Sequence, residues 1–349
     1  MTDTPRAAAF AIPGDMHQRT GGYIYEKSLL LALREIGHPV RHVQLPASFP
    51  SPSAGAMAET VAALAALPAD EPLILDGLVY GAIDPAGLAT VRAPVIAMIH
   101  HPLGLETGLP EERARFLIER ETANLALADH VFVPSPHTAR TLVAHFAVPE
   151  AKITIVSPGF AGAAAPHAPD RPPLILSVGL IAERKGHDVL VRALMRIADL
   201  DWRAVIVGKT HEARVETALR RLHAESGLGP RLTIAGEIDQ PQLDDLYRRA
   251  SLFALATRYE GYGIVFGEAL VQGLPIVSCR TGAVPDTIPD GCGILVPVDD
   301  DAAFAAALRH LLEDGEMRQT MGRTAAQAGR KLPTWLDSAA VAGAVIERV

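Results

Sequence analysis

Two acidic residues, Glu260 and Glu268, flank a glycine-containing segment and lie eight positions apart. On one continuous helix, a rise of about 1.5 Å per residue would separate them by roughly 12 Å. Glycosidase carboxyl pairs stand about 5–9.5 Å apart, so the spacing argues against glycoside hydrolysis. Carboxylates in this setting suit another task, accepting hydrogen bonds from sugar or ribose hydroxyls. The alternative is one solvated loop acid and one ordinary helix acid.

The segment between the two acids, and a second segment before it, predict binding of an anion. A strand ends near Ala256 and a helix begins around Gly263. The free N–H groups and dipole at such a helix start form a site for a phosphate or diphosphate. Arg184 and Lys185 follow a strand that ends at Gly179, where adjacent cations can neutralise a diphosphate. The alternative for these two cations is ordinary surface ion pairing.

Two further candidates lie in the first half of the chain. Gly21 and Gly22 stand where the first strand gives way to the first helix, so the backbone can approach a ligand closely there. The alternative is a plain turn. His100 and His101 end a strand, where a histidine is often only a polar cap. Further ligands at recognisable zinc spacing are missing, so we predict no metal site.

Two literal motif matches are discounted. Gly261, Gly263 and Gly267 imitate a dinucleotide-binding fingerprint, but they lie deep in the second half of the chain and do not open a domain, as that fingerprint does. The D-x-D at residues 299–301 follows a strand and precedes an apolar helix, so helix capping and dipole compensation explain it better than metal binding.

Short apolar runs alternate with amphipathic stretches along most of the chain, which is typical of parallel sheets covered by helices on both faces. The proline-rich stretch 161–173 breaks the alternation and is predicted to be a linker. We therefore predict an α/β fold of two Rossmann-like, doubly wound domains that face each other across a cleft. The predicted strands are 7–12, 39–45, 72–76, 94–100, 129–133 and 152–156, then 174–179, 203–208, 231–236, 251–256, 274–279 and 293–298.

Composition excludes several classes of protein. The 349 residues carry a net charge of −8 and are 49% hydrophobic and 21% charged, which is typical of globular domains. The acidic balance disfavours nucleic acid as a partner. No apolar run approaches the roughly 18 residues of a spanning helix, so stable membrane insertion is not expected. The two cysteines, Cys279 and Cys292, have no metal or redox spacing and suit the cytoplasm.

Taken together, these segments resemble the family 4 glycosyltransferases, retaining enzymes of the GT-B fold. The resemblance is strongest over residues 174–330, where the basic pair, the E-x7-E pattern and the runs LPIVSCRTGAVPDTI and GCGILVPVDD come in the family's order. The first domain matches more loosely. Members often carry arginine directly after the strand glycine, where this chain has Leu180.

The resemblance implies domains at residues 1–165 and 166–332, on the acceptor and donor sides, and a C-terminal helix at 333–349 that returns to the first domain. It also implies two sets of site residues. The catalytic set is His100, Arg184, Lys185 and Glu260. The donor-binding set is Gly21, Gly22, Gly179, Tyr262, Gly263, Ile264 and Glu268.

The expected activity is metal-independent transfer of a hexosyl group from a nucleoside diphosphate sugar to an acceptor hydroxyl, with the anomeric configuration retained. No cofactor is expected besides the donor substrate. The acceptor and the donor base stay open at this stage. The alternatives are a nucleotide-sugar epimerase or hydrolase of the same fold, and a nucleotide-sugar-binding protein with weak catalysis.

Overall fold

The structure is a computed structural model, and it describes residues 5–106, 108–162 and 167–349. Its described residues form two parallel six-stranded sheets with helices packed against them. The prediction of two doubly wound α/β domains is confirmed. The predicted linker and domain border fall partly on residues 163–166, which lie outside the described residues.

The first sheet has the strand order β2-β1-β3-β4-β5-β6, and all its pairings are parallel. Its strands are β1 Ala8–Pro13, β2 Val40–Leu45, β3 Leu73–Asp76, β4 Val95–Met98, β5 His130–Val133 and β6 Ile153–Ile155. The helices of this part are α1 Gly21–Glu35, α2 Ala54–Ala65, α3 Gly77–Tyr80, α4 Pro85–Leu88, α5 Glu111–Ala126 and α6 Pro136–Phe146.

The second sheet has the order β12-β11-β10-β7-β8-β9 and is also parallel throughout. Its strands are β7 Leu174–Val178, β8 Arg203–Val207, β9 Leu232–Gly236, β10 Leu252–Leu255, β11 Ile276–Cys279 and β12 Gly293–Val296. The remaining helices are α7 His187–Arg196, α8 Ala213–Glu225, α9 Gln240–Arg249, α10 Ile264–Val271, α11 Val284–Thr287, α12 Asp301–Glu313, α13 Gly315–Gly329 and α14 Trp335–Ile346.

The chain divides into two compact units. The first unit takes the described part of Met1–Gly159 together with Pro333–Val349, and the second takes the described part of Phe160–Leu332. Helix α14 packs in the first unit, where the Trp335 ring meets the Tyr25 ring of α1 edge-on at 5.3 Å between centroids. The Ser338 hydroxyl donates to the Ser157 carbonyl at 2.6 Å.

The strands form because their residues are apolar enough to be buried on both faces. Every residue of β3, β4, β5, β10 and β11 is buried. This is the expected pattern for parallel strands with helices on both sides of the sheet. Among the described residues, no helix has both the length and the apolar character needed to cross a bilayer.

Candidate functional site

The strand order of the second sheet points to one edge as a ligand site. The chain runs from β7 outward to β9, then returns to the other side of β7 and continues through β10 to β12. In open parallel sheets, ligands bind at the carboxyl ends of the strands where the order reverses. Here that point lies between the ends of β7 and β10, which are neighbours. The predicted residues Gly179, Arg184, Lys185 and Glu260 all follow these two strands.

At this edge, Glu260 accepts from two neighbours through one oxygen. The Lys185 ammonium lies 2.5 Å from Glu260 Oε1, and the Thr257 hydroxyl donates to the same oxygen at 3.0 Å. The Arg184 guanidinium is 3.8 Å from Glu260 Oε2. Sequence analysis predicted the acid and both cations as site residues, but not their direct contact. Thr257 was not predicted.

This group of charges is mostly buried. Glu260 is 5% exposed and Lys185 7% exposed, while the Arg184 side chain is 30% exposed. Burial alone would raise the pKa of Glu260, but the charges of Lys185 and Arg184 outweigh it and hold that pKa below its usual value. The carboxylate is therefore ionised at neutral pH, and the group of three carries one net positive charge.

Gly186 lets the loop after β7 approach the end of β10. Its φ is +61°, in the left-handed region that glycine adopts without steric cost. A Cβ at this position would lie 1.9 Å from the Ala256 carbonyl oxygen. Only glycine therefore allows α7 to start this close to β10, which brings Lys185 to Glu260.

Helix α10 begins beside the same acid. Gly263 is its N-cap with φ +83°, and a Cβ there would lie 3.5 Å from Glu260 Cγ. The helix starts at Ile264, as the sequence predicted to within one residue. Tyr262 stacks on Phe160 at 6.3 Å between ring centroids. The N–H groups at the helix start and the two cations together suit a diphosphate.

Glu268 lies one turn into α10 and is held by a residue that the sequence analysis missed. The Tyr247 hydroxyl of α9 donates to Glu268 Oε2 at 2.7 Å. Burial raises the pKa of Glu268 above its usual value, and the Tyr247 hydrogen bond partly opposes this. A carboxylate fixed through one oxygen has the other available for a ligand hydroxyl.

His187 stabilises the loop after β7 by hydrogen bonds to its backbone. Its buried Nε2–H donates to the carbonyls of Gly179 and Leu180, each at 3.2 Å. Burial lowers the pKa of His187 to about 4, so the ring is neutral at physiological pH. At Gly179, an added Cβ would lie 3.4 Å from Lys185 Cδ, which places this glycine against the lysine stem.

Arg258 connects the loop after β10 with the loop after β7. Its backbone N–H donates to the Arg184 carbonyl at 2.7 Å. Its guanidinium contacts both carboxylate oxygens of Asp188 at 3.1 and 3.0 Å, and Nε donates to Asp299 at 2.7 Å. Arg258 was not predicted from the sequence, because its partners are distant in the chain.

The discounted motifs have structural explanations. A Cβ at Gly267 would lie 2.2 Å from the Phe160 ring, so this glycine serves packing. In the D-x-D stretch it is the middle residue, Asp300, that caps α12 by accepting from the Ala303 N–H at 2.8 Å. Asp299 pairs instead with Arg258.

The remaining predicted residues lie in the first unit. Gly21 and Gly22 begin α1, and a Cβ at Gly22 would lie 3.7 Å from Cδ2 of the His100 ring. His100 follows β4, and its Nε2 is 3.4 Å from Oε1 of Glu26. His101 lies beside it with Nε2 4.0 Å from Glu106 Oε2. The structure thus groups Gly22 with His100 in one unit, and Arg184, Lys185, Glu260 and Gly263 in the other.

Comparison with protein families gives two matches that together span most of the chain. Residues 163–328 match the model described as glycosyl transferases group 1. Residues 27–161 match the model described as glycosyltransferase family 4.

Curated relatives carry one recurring name. The chain is 30% identical over 243 residues to a D-inositol 3-phosphate glycosyltransferase of Streptomyces avermitilis, covering 64% of this chain and 52% of that protein. It is 28% identical over 267 residues to the protein of the same name from Corynebacterium efficiens, covering 71% and 62% of the two chains. The chain therefore spans between half and two thirds of the length of these relatives.

Solved structures show the fold. Sucrose-phosphate synthase from Thermosynechococcus elongatus matches with a TM-score of 0.79 at 22% identity, over 98% of both chains. Anabaena HepE, crystallised with UDP and glucose, matches with a TM-score of 0.74 at 14% identity, over 99% of this chain and 100% of that one.

Proposed function

Since the chain belongs to the family 4 glycosyltransferases, we propose that it transfers a hexosyl group from a nucleoside diphosphate sugar to an acceptor hydroxyl. In this proposal the anomeric configuration is retained. The chain spans only part of the length of its curated relatives, so the activity of the whole protein is itself part of this proposal.

The observation that carries the proposal is the cluster of Arg184, Lys185 and Glu260 beside the start of α10. The ends of β7 and β10 bring it together at the point where the sheet order reverses. Two cations and a helix N-terminus match the charge of a diphosphate. A buried carboxylate next to them matches the hydroxyl groups of a sugar attached to that diphosphate.

In the proposed reaction, the bond between the sugar's anomeric carbon and the diphosphate oxygen breaks. The acceptor oxygen forms its bond to the same carbon from the same face. The acceptor's proton passes to the departing diphosphate oxygen, so no protein nucleophile is needed. Arg184, Lys185 and the α10 amides stabilise the negative charge that develops on the diphosphate.

Glu260 has two tasks in this account. It holds Lys185 in place through the 2.5 Å contact, and it accepts hydrogen bonds from hydroxyls of the transferred sugar. Glu268, fixed by Tyr247, is proposed to accept from the ribose hydroxyls. Tyr262, Gly263 and Ile264 are proposed to contact the phosphates and the sugar through their backbone.

The roles that the resemblance implies for Gly21, Gly22, Gly179 and His100 remain part of the proposal. So does metal independence, since the cations of the chain are proposed to meet the diphosphate charge. Turnover that persists after treatment with EDTA supports this point. Loss of turnover that Mg²⁺ or Mn²⁺ restores contradicts it.

We propose the cytoplasm as the compartment of this protein. Cys279 and Cys292 are both buried and free, a state that a reducing compartment maintains. Cell fractionation of the natural host with an antibody against this chain tests the point, and recovery in an oxidising compartment contradicts it.

The first experiment is a thermal-shift screen of UDP-, GDP- and ADP-sugars, because a ligand that binds only the native state raises the melting temperature. Donors that stabilise the protein are then incubated with candidate acceptors, beginning with D-inositol 3-phosphate, which the names of the relatives suggest. NMR of the product gives its anomeric configuration.

We expect a glycoside with the donor's configuration, formed only when an acceptor is present. Donor consumption without an acceptor would identify a hydrolase or an epimerase instead. Tight donor binding without turnover over a broad acceptor panel would identify a binding protein. An inverted product would contradict the retaining mechanism.

A further inference from the structure

Three polar side chains meet at the carboxyl edge of the first sheet. Glu26 lies on α1, Asp76 ends β3 and His100 follows β4. One oxygen or nitrogen of each lies within 4.8 Å of those of the other two. The first sheet reverses its strand order between β1 and β3, so this group occupies the ligand-binding position of its sheet. Of the three, only His100 was predicted as a site residue.

Glu26 and Asp76 form a buried acid pair. They are 1% and 4% exposed. Within the described part of the chain, the only ion-pair contact of either acid is that of Glu26 with His100. Two adjacent carboxylates in a dry interior cannot both ionise without a counter-charge. Burial raises the pKa of Glu26 to about 7, while burial and the charge of Glu26 raise that of Asp76 well above its usual value, so at pH 7.5 the shared proton lies on Asp76 and Glu26 is the ionised acceptor.

Asp76 anchors this pair to the backbone. Its Oδ1 accepts from the N–H groups of Leu78 at 2.8 Å and Val79 at 3.3 Å, at the start of α3. This fixes the Asp76 carboxyl at the end of β3. Glu26 lies close to both this anchored acid and the His100 ring.

The contact between Glu26 and His100 determines which ring nitrogen carries the proton. Glu26 Oε1 and His100 Nε2 are 3.4 Å apart, and both atoms are buried with no other hydrogen-bond partner among the described residues. A proton on Nε2 makes that atom a donor to Glu26 and satisfies both atoms with a small ring rotation. With the proton on Nδ1, Nε2 and the Glu26 oxygen would be two acceptors facing each other, each without a donor.

Neighbouring groups restrict the orientation of the ring. The Tyr25 ring meets His100 edge-on at 4.8 Å between centroids, and Tyr25 donates to the Val156 carbonyl at 2.6 Å. The backbone of α1 at Gly22 lies close to Cδ2 and Nε2 of the same ring. The His100 side chain is 25% exposed, so a ligand can still reach it. With the proton on Nε2, the Nδ1 lone pair is an acceptor.

We propose that Glu26, anchored by Asp76, is a positioning residue that holds His100 as the neutral tautomer with its proton on Nε2, so that Nδ1 accepts a hydrogen bond from a substrate hydroxyl. The tautomer follows from contacts within the first unit alone. The hydroxyl contact rests on the proposed glycosyl transfer.

The tautomer can be measured without any substrate. Two-bond ¹H–¹⁵N spectra of the full chain labelled with ¹⁵N-histidine distinguish the two tautomers, and the His100→Gln variant assigns the His100 signals. At pH 7.5 we expect the Nε2–H form in the wild type. Glu26→Gln retains an accepting carbonyl and should keep this form. Glu26→Ala removes the acceptor and should give a mixture or the Nδ1–H form.

The exposed Glu35 on the same helix provides the control, since Glu35→Ala should leave the His100 signals unchanged. A wild-type Nδ1–H form overturns the proposal, whether or not the variants fold. A folded Glu26→Ala variant with an unchanged tautomer also overturns it. So does a Zn²⁺-induced shift of the His100 signals that Glu26→Gln abolishes, because the group would then be a metal site.

Kinetics test the second half of the proposal. Glu26→Ala should lower kcat about tenfold with little change in the donor KM, and Glu26→Gln should restore most of it. An unchanged kcat with an altered tautomer overturns the hydroxyl contact. If wild-type protein shows no transfer while the NMR result holds, it is the proposed function that fails and not the role of Glu26.

Discussion

Lys185, one of the two cations that we propose to bind the diphosphate, is a buried residue. Its ammonium lies against Glu260, 75 positions along the chain, and only 7% of the residue is exposed. A lysine held in one place by a buried carboxylate cannot adopt many rotamers, so the charge is oriented before a ligand arrives. Such preorganised charge stabilises a transition state at little reorganisation cost.

Replacing Lys185 with alanine should reduce turnover about 10²–10³-fold, corresponding to about 2.7–4 kcal/mol of lost transition-state stabilisation. The measurement is kcat with saturating donor and acceptor. The exposed Lys331 provides the matched control, and Lys331→Ala should retain wild-type turnover. A Lys185→Ala variant that is folded and within a factor of three of wild type would contradict the role assigned to this residue.

The same variant should show a pH-dependent loss of stability. In the wild type, the cations depress the pKa of Glu260 in the folded state, so the pair stabilises the fold above the ordinary value of 4.5. That stability is lost as pH falls through the depressed pKa. Without Lys185, burial dominates and the Glu260 carboxylate is destabilising unless it is protonated.

The difference in unfolding free energy between wild type and Lys185→Ala should therefore be about 3–5 kcal/mol at pH 7.5 and smaller at pH 4.5. Urea unfolding at both pH values gives these differences. A difference that grows on acidification would show that Glu260 is not ionised in the wild type.

At the residue scale, the sequence identified the acids and cations by type but not by partner. Arg184, Lys185 and Glu260 stood out because each follows an apolar strand. Tyr247, His187 and Arg258 could not be found in this way, because their roles depend on contacts with residues between 7 and 75 positions away. Glu26 and Asp76 were not predicted either, because in the sequence they look like an ordinary helix residue and the last residue of a strand.

At the scale of elements, the packing of α7 against β10 decides whether the site exists. Gly186 has a left-handed φ and no room for a Cβ, because the Ala256 carbonyl lies where that atom would be. Gly227 after α8 has a similar φ of +71° but nothing within 4 Å of its Cβ position. Alanine at Gly227 would therefore meet only backbone strain, whereas alanine at Gly186 would meet both strain and steric overlap.

Gly227→Ala should cost roughly 1–2 kcal/mol of stability, which is the strain of the left-handed conformation alone. Gly186→Ala should cost clearly more and should also weaken donor binding, because α7 must move away from β10 and take Lys185 with it. Urea unfolding and calorimetry of the two variants test this. Equal losses of stability would contradict the close approach seen at Gly186.

Most elements were predictable, because their periodicity is strong. The twelve predicted strands correspond to β1–β12. The helices α3 and α4 were missed, since each has four residues and so no full period of apolar positions. Their starts are set by side-chain caps from Asp76 and Asp84.

At the scale of the whole molecule, the chain crosses from the first unit to the second and returns with its last helix. Gly159 permits this return, since a Cβ there would lie 2.1 Å from the Trp335 backbone nitrogen. The strand orders of the two sheets were not predictable residue by residue, because they depend on which buried strands pair. The position of a ligand site could be predicted only from the general rule that ligands bind at the strand ends where the strand order reverses.

Trp335→Ala should destabilise the first unit in particular. It removes the edge-on contact with Tyr25, and an aromatic pair contributes about 0.5–1.5 kcal/mol beyond its buried area. Hydrogen exchange should become faster in α1 and stay unchanged in α10. Leu336→Ala, at a 41% exposed position on the same helix, should change neither. Faster exchange in α10 would contradict the assignment of α14 to the first unit.

The central claim is that Arg184, Lys185 and the start of α10 bind one diphosphate. The most direct test measures binding by calorimetry in the wild type and in Lys185→Ala. The two ligands are the nucleoside diphosphate of the donor selected in the screen and the corresponding monophosphate. We expect the wild type to bind the diphosphate at least about tenfold, or 1.4 kcal/mol, more tightly than the monophosphate, and the variant to lose most of this preference. Equal affinities in the wild type, or an undiminished preference in the variant, would contradict it.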